Sequence, residues 1–147
     1  KTSRAIAAQI LRHRSFSFQE FSQRYSVAQD LEEVQLRKQA EKNRQSSTDE
    51  FTDGFFSAKV REHLAKSVSL YNEAIKMGVA KESARLLLPL TTETTMYMSG
   101  TIRSWVHYID LRSQEDTQKE HRDIAEGCRD IFVEHFPNIS LALGWKE

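Results

Sequence analysis

A fourteen-residue segment near the start of the chain, residues 12–25, reads RHRSFSFQEFSQRY. Its three arginines and three phenylalanines are interspersed with serine and tyrosine hydroxyls. Arginine keeps its charge at every working pH, and its planar guanidinium grips a phosphate or carboxylate through two parallel hydrogen bonds. The segment therefore indicates a site that holds an anion against an aromatic wall.

Further arginines occur in stretches that are otherwise apolar or amphipathic. Arg85 precedes three leucines, and Arg103 and Arg112 flank an apolar helical pattern. An unpaired buried charge costs on the order of several kcal/mol, so an arginine in such a setting needs an anionic partner. These residues extend the predicted anion site beyond the first segment.

Apolar residues three or four apart predict helices along most of the chain, and capping residues, glycines and prolines set their ends. The predicted helices are Arg4 to about His13, Asp53 to Met77, Lys81 to Leu88, a helix that opens at Gly100 and ends at Arg112, and a final helix from the Thr117–Glu120 capping box to the residue before Pro137. In the first helix Gln9, Arg12 and His13 share a face. In the fourth, Arg103 and His107 face away from a stripe formed by Ile102, Trp105, Val106 and Ile109.

The remaining segments predict short strands and polar surface. Phe16 and Phe18 alternate with polar residues, which predicts an extended stretch that residues 24–27 could continue. The threonines of 91–95 and the following Met-Tyr-Met favour a strand. Residues 28–52 are strongly polar and predict a solvated helix and a surface loop, and the partly apolar tail 138–147 is expected to dock. The predicted fold is α+β, mostly helical, with few short strands packed with long helices.

Length and charge narrow the classes of function. The 147 residues fit one domain. Lys plus Arg and Asp plus Glu are both 21, so the zero net charge argues against a general nucleic-acid coat. No apolar run approaches the length of a membrane span. The single cysteine cannot form an internal disulfide, which favours an intracellular, cytoplasmic protein.

The sequence lacks the residue patterns that several common catalytic and binding sites require. The five histidines have no zinc-like spacing, and no P-loop or glycine-rich dinucleotide motif is present. Cys128 lies on an apolar helical stripe, where a packing role is the usual one. The scattered arginines remain as the principal functional signal.

Two groups of residues resemble motifs of a known family. Arg12-His13-Arg14 followed after seven residues by Ser22, and the continuation Glu20–Tyr25, resemble the signature of the flavin-dependent thymidylate synthases. Later family motifs are similar, in the same order, to Ala84-Arg85 through Pro89, Ile102-Arg103-Ser104, and Leu111-Arg112 with Gln118 and Glu120. The resemblance runs through nearly the whole chain.

This resemblance implies an enzyme that makes dTMP from dUMP. Methylenetetrahydrofolate would give the carbon, and FAD reduced by NADPH would give the hydride. The family resemblance also implies a homotetramer whose active sites draw on several chains. The positions that match dUMP-binding positions are Gln9, Glu20, Ser22, Gln23, Arg24, Arg85 and Arg112. Those that match FAD-contacting positions are Arg12, His13, Arg14, Arg103 and His107.

Individual roles follow from the same resemblance. Ser22 and Arg24 would hold the dUMP phosphate, assisted by Arg85 from another subunit. Arg112 would face the uracil ring and stabilise the negative charge that develops on it. Ser22 and Arg112 are therefore the candidate catalytic residues. A hydroxyl beside an arginine and a phosphate is more simply a hydrogen-bond donor than a nucleophile.

The sequence also departs from the family pattern. Gln19, Thr101 and His107 stand where the family often has Asn, Gln23 where it has Gly, and Asp116 where it usually has His. The family carries an N-terminal portion before the position of Ser3, with strands and further FAD contacts. Residues 1–147 are therefore expected to be a single domain that either is a fragment of a larger α/β subunit or receives those contacts from elsewhere.

Two other functions use the same residues. A non-catalytic nucleotide-binding module could be built on the same segment. A helical domain could bind RNA or a phosphopeptide through the Arg12–Arg24 cluster, although the neutral net charge opposes it.

Overall fold

The computed structural model describes residues 1–23, 30–43 and 46–145. The helices are α1 Arg4–Ile10, α2 Gly54–Lys76, α3 Lys81–Ala84, α4 Ile102–Arg112, α5 Lys119–His135 and α6 Pro137–Ala142. The strands are β1 Thr2–Ser3, β2 Phe16–Glu20, β3 Arg37–Gln39, β4 Ser47–Glu50, β5 Glu93–Thr94 and β6 Met96–Gly100. They pair antiparallel as β1 with β5, β2 with β6, and β3 with β4. The expected fold class, α+β and mostly helical, is confirmed.

Helix α2 follows its predicted bounds. Asp53 caps it by accepting hydrogen bonds from the backbone N–H groups of Phe55 and Phe56, both at 3.0 Å. Gly78 ends it with a φ of 84°, a conformation that glycine adopts without steric cost. Tyr71 is buried, whereas Phe56 is 47% exposed. The other members of the apolar stripe of α2 are half-buried, so most of the stripe is only partly covered within the chain; they are Val60, Leu64, Val68 and Ile75.

The alternation of Phe16 and Phe18 marks β2, as predicted. In the β2–β6 ladder Phe16 lies opposite Gly100 and Phe18 opposite Met98. A Cβ atom at position 100 would lie 2.6 Å from the Phe16 ring, so the close approach of the ring requires glycine. Gly100 therefore ends the strand, and the prediction that it opens α4 is wrong. Thr101 is the cap instead, because its hydroxyl accepts from the Ser104 backbone N–H at 3.2 Å.

The hydrophobic core lies between β2, α4 and α5. Its buried members are Phe16, Tyr108, Ile109, Ala125 and Phe132, with Trp105, Cys128 and Trp145 packed against them. The predicted stripe of α4 is partly wrong, since Ile102 is 41% exposed. The tail docks through Trp145, whose ring lies 5.6 Å from that of Phe132.

The predicted solvated helix does not occur in the described residues of the polar segment, 30–43 and 46–52. In its described part β3 and β4 form a hairpin, and Arg37 donates from Nε to Ser47 Oγ at 3.0 Å. Arg37 also pairs with Glu120 of α5 at 2.7 Å. Because this tertiary contact holds the hairpin, the local composition could not reveal it.

Three helix bounds also differ from prediction. Helix α3 ends at Ala84, and Arg85–Leu87 form a 3₁₀ helix in place of the predicted continuation to Leu88. Helix α1 ends at Ile10, and Arg12 and His13 lie in a closing turn, where the His13 N–H donates to the Ile10 carbonyl at 3.1 Å. Helix α5 has no capping box, because its N-cap is Gln118 and no side chain caps it. Glu120 is engaged elsewhere by Arg37.

Candidate active site

The centre of the candidate site is a contact between two distant parts of the chain. Arg112, in the last turn of α4, donates from Nε to Nε2 of His13 at 2.9 Å. The pKa of His13 is lowered, first by burial and then by the charges of Arg112 and His107. A neutral imidazole has one ring nitrogen free to accept, so the contact is a proper hydrogen bond. Within the described residues, the terminal nitrogens of Arg112 have no hydrogen-bond partner.

The His13 ring is supported from below by aromatic side chains. It meets the Tyr108 ring edge-on at 4.9 Å between centroids and the His121 ring at 6.2 Å. Tyr108 and His121 are 1% and 0% exposed, so they form a floor that solvent does not reach. This floor fixes the His13 ring and, through it, the Arg112 guanidinium.

A chain of hydrogen bonds runs from Tyr108 and His121 to the N-terminal end of α5. Tyr108 Oη lies 3.2 Å from His121 Nε2, and His121 Nδ1 lies 3.3 Å from Gln9 Oε1. Gln9 Nε2 donates to Gln118 Oε1 at 2.7 Å, and Gln118 Nε2 donates to Glu120 Oε2 at 3.0 Å. Both the oxygen and the nitrogen of the Gln9 side-chain amide are therefore hydrogen-bonded.

The chain of hydrogen bonds ends at a charged pair. Arg37 Nη2 lies 2.8 Å and 2.7 Å from the two carboxylate oxygens of Glu120. Burial acts to raise the pKa of Glu120, but hydrogen bonds from its own backbone, Arg37 and Gln118 outweigh it, and the pKa is lowered. Glu120 is therefore an ionised acceptor that orients Gln118.

Glu20 is held at the end of β2. Its Oε1 accepts from Arg4 Nη1 at 2.8 Å and from the Thr94 hydroxyl at 3.0 Å. Both contacts use one carboxylate oxygen, which fixes the plane of the group. The sequence predicted Glu20 as a substrate contact but did not predict its pairing with Arg4.

Of the five residues that match cofactor contacts, all but the half-buried His13 are exposed, and these four are termed the basic surface. Arg12, Arg14, Arg103 and His107 are exposed. No carboxylate among the described residues pairs with these arginines. Because folding does not neutralise them, these guanidinium groups remain available to an anionic molecule.

The predicted phosphate-binding residues are only partly described. Ser22 is half-buried just after β2, and Arg24 lies outside the described residues. Gln23 is buried, and its Nε2 has no hydrogen-bond partner among the described residues. Arg85 is half-buried, donates from Nε to the Glu82 carbonyl at 3.3 Å, and makes no described contact with the Arg112 centre.

The sequence did not predict that Tyr108 and His121 would lie beneath the candidate site. His121 continues the buried positions of α5, Ala125 and Phe132, at helical spacing. A histidine on a core stripe signals a buried polar group that must be hydrogen-bonded, and Tyr108 directly precedes the predicted core residue Ile109. That signal was available, but the partners across the fold were not.

The single cysteine, Cys128, fits a packing role. Burial raises the pKa of the Cys128 thiol, which disfavours a thiolate nucleophile.

No cluster of three or more potential metal ligands occurs among the described residues. No helix in the described part of the chain is both long and apolar enough to cross a bilayer.

Comparison with known proteins identifies the family. The profile of the family described as "Thymidylate synthase complementing protein" matches residues 1–138. The chain is 54% identical to the "Probable flavin-dependent thymidylate synthase" of Paramecium bursaria Chlorella virus 1, over 99% of this chain and 69% of the relative. The chain belongs to the flavin-dependent thymidylate synthase family. A second member, from Synechocystis sp. (strain ATCC 27184 / PCC 6803 / Kazusa), is 53% identical over 98% of this chain and 68% of that relative.

A solved structure has the same fold as this flavin-dependent thymidylate synthase family member. It is a UMP/dUMP methylase PolB from Streptomyces cacaoi bound with 5-Br dUMP, with a TM-score of 0.77. The two chains are 22% identical, and the match covers 90% of this chain and 63% of that one. The chain thus spans about two-thirds of the length of each of these three proteins.

Proposed function

We propose that the chain supplies the nucleotide site of an enzyme that methylates dUMP to dTMP. Methylenetetrahydrofolate is the carbon donor and NADPH the reductant. Two relatives at 54% and 53% identity carry the name of this activity, which supports the proposal. The observation that carries it is the Arg112–His13 hydrogen bond at 2.9 Å, because it fixes a guanidinium whose other donors are not used within the described chain.

Arg112 acts on the uracil ring. A positioned guanidinium stabilises the negative charge that develops on the ring during methylation, and its attachment to His13 removes the need to reorganise during the reaction. The neutral His13 ring adds no charge of its own to the site. Arg112 is therefore the main catalytic residue, and Ser22 is a second residue in contact with substrate.

The remaining substrate residues bind and orient dUMP. Ser22 donates its hydroxyl to the phosphate, Arg24 pairs with the same group, and Arg85 reaches it from another subunit. The other substrate contacts are made by Gln9, Glu20 and Gln23. Gln9 is suited to this task because the hydrogen bonds to His121 and Gln118 fix its amide.

The basic surface fits FAD. When bound, FAD supplies the hydride that reductive methylation requires. Its pyrophosphate is an anion, and Arg12, Arg14 and Arg103 are exposed arginines without an ion pair in the described chain. His107 lies close enough to His13 for its charge to lower the pKa of that residue. His13 and His107 would therefore meet the cofactor near Arg112.

A homotetramer with shared sites completes the proposal. Exposed apolar side chains on α2 favour contact with other subunits, since Phe55 is 72% exposed and Leu70 is 51% exposed. Arg85 makes no described contact with the Arg112 centre of its own chain, which favours its action in another subunit.

An anaerobic turnover experiment tests the function. The purified protein is reduced with NADPH, supplied with dUMP and methylenetetrahydrofolate, and assayed for dTMP. We expect a yellow protein whose flavin spectrum changes on adding dUMP, and dTMP only when all reagents are present. A colourless protein that binds RNA with a steep dependence on salt would contradict the proposal and favour an RNA-binding domain.

A further inference from the structure

His121 is a buried titratable residue with no assigned role. It lies in the first turn of α5, is 0% exposed, and contacts Tyr108 and Gln9 through its two ring nitrogens. A core histidine needs both nitrogens satisfied, but these partners lead directly to the candidate site. Gln9 is a proposed substrate contact, and Tyr108 lies against the His13 ring.

The hydrogen bonds select one tautomer of His121. Gln9 Nε2 donates to Gln118, so Gln9 Oε1 is the atom that faces His121 and must accept. His121 Nδ1 therefore carries the proton, and Nε2 accepts from the Tyr108 hydroxyl. In this arrangement every bond from Tyr108 to Gln118 has one donor and one acceptor.

Burial and the surrounding charges keep His121 neutral. From α4, the Tyr108 ring lies 5.8 Å from the His121 ring, and from the turn after α1, the His13 ring lies 6.2 Å from it. Burial, then Arg112, then His13 lower the pKa of His121 to about 4. Gln9 of α1 adds no charge, so no neighbour in the described hydrogen-bond chain compensates a protonated ring.

The neighbouring acid on α5 does not compensate either. Glu120 precedes His121, but its carboxylate accepts from Arg37 and Gln118. Hydrogen bonds through Gln118 and Gln9 link it to His121. Its ionised form holds Gln118 with Oε1 towards Gln9, which completes the direction of the hydrogen-bond chain.

We propose that His121 is a positioning residue for substrate binding, whose Nδ1–H holds the Gln9 amide in the orientation that dUMP requires. This inference rests on the proposed function. With Oε1 facing His121 and Nε2 facing Gln118, Gln9 keeps one N–H donor and one acceptor lone pair for the nucleotide. A flipped amide would set Nε2 against the His121 proton and Oε1 against Gln118 Oε1, which the bond to Glu120 holds in place, so the imidazole and Gln118 together exclude that state. The His121 ring also packs against Tyr108, which in turn packs against the His13 ring.

Three substitutions separate these contacts. His121→Asn keeps an amide donor near the Nδ1 position, His121→Gln places its amide near the Nε2 position, and His121→Phe keeps a ring without hydrogen bonds. Ser140→Ala is the matched control, because it removes the hydrogen bond that the buried Ser140 of α6 donates to the Phe136 carbonyl. Each variant is first checked for folding by circular dichroism and thermal unfolding.

The steady-state constants for dUMP give the decisive readout. We expect His121→Phe to raise the KM for dUMP by about tenfold or more, as for a lost buried hydrogen bond. The change in kcat should be smaller, His121→Asn should recover most of the KM, and His121→Gln should not. Ser140→Ala should keep the wild-type KM. Equal KM values for folded His121→Phe and wild type would overturn the proposal.

A ligand-free measurement covers the case in which the variants do not fold. Nitrogen-15 NMR of the wild-type ring should show a proton on Nδ1 and a bare Nε2 from about pH 7 to about pH 5, because burial opposes protonation. A proton on Nε2 would overturn the proposal without any assay. If the Nδ1 proton is found but the wild type makes no dTMP, the proposed function fails and the described tautomer stands.

Discussion

The Nε atom of Arg112 lies 2.9 Å from Nε2 of His13, although 99 residues separate the two in the chain. This bond joins the last turn of α4 to the turn after α1. The bond uses Nε of Arg112. Both terminal nitrogens therefore stay free of this contact and can bind an anion side by side. The terminal nitrogens are thereby held in place for a ligand, which is the preorganised state that electrostatic catalysis requires.

Replacing Arg112 by Ala should lower turnover at saturating dUMP by about 10²–10³-fold, the usual effect of losing one preorganised donor. Arg61→Ala is the matched control, because it removes an exposed arginine from α2. Single-turnover kinetics with reduced enzyme gives the rate of dTMP formation. An unchanged rate in Arg112→Ala would remove this residue from the mechanism.

Replacing Ser22 by Ala should weaken dUMP binding but leave measurable turnover. The hydroxyl contributes one hydrogen bond to the phosphate, so an increase in Kd of about tenfold is expected. Titration of the flavin spectrum with dUMP measures it, and Ser69→Ala on the exposed side of α2 is the control. Complete loss of chemistry with normal dUMP affinity would instead identify Ser22 as a nucleophile.

The protein should lose stability as the pH falls from about 6.5 towards 4. The pKa of His121 is lowered to about 4 in the folded state, so below its unfolded value the unfolded chain binds a proton that the folded chain does not. The stability is therefore complete above that range and falls by about 1.4 kcal/mol per pH unit within it. His13, whose pKa is also lowered, acts in the same direction.

Urea unfolding at several pH values measures this dependence. His121→Gln should flatten the slope, because the ionisable group is absent, whereas His63→Gln, which removes an exposed histidine of α2, should keep it. Identical slopes in wild type and His121→Gln would show that the buried ring does not control acid stability.

Gly100→Ala should destabilise the β2–β6 pair by about 1–3 kcal/mol, as overpacking usually does. The added Cβ would lie 2.6 Å from the Phe16 ring, which is part of the core. Gly127→Ala is the control, because nothing lies within 4 Å of its Cβ position in α5, and it should stabilise by up to about 1 kcal/mol. Chemical denaturation of both variants gives the difference, and equal stabilities would refute the steric argument.

Much of the secondary structure followed from local pattern. The apolar spacing of α2, its Asp53 cap and its Gly78 stop are properties of neighbouring residues, and the alternation of Phe16 and Phe18 marked β2. The hairpin of β3 and β4 was missed because its residues are polar on both faces. Arg37 and Glu120 hold it, and they lie 83 residues apart.

The candidate site was also predictable only in part from the sequence. Its residue types and order, from Arg12-His13-Arg14 through Ser22 to Arg112, could be recognised in the sequence because a family motif is a linear pattern. The pairing of Arg112 with His13 could not, because a hydrogen bond depends on distance and direction in space. Only the tertiary structure placed His121 beneath both Gln9 and Tyr108, since burial and partner atoms are decided by packing between α1, α4 and α5.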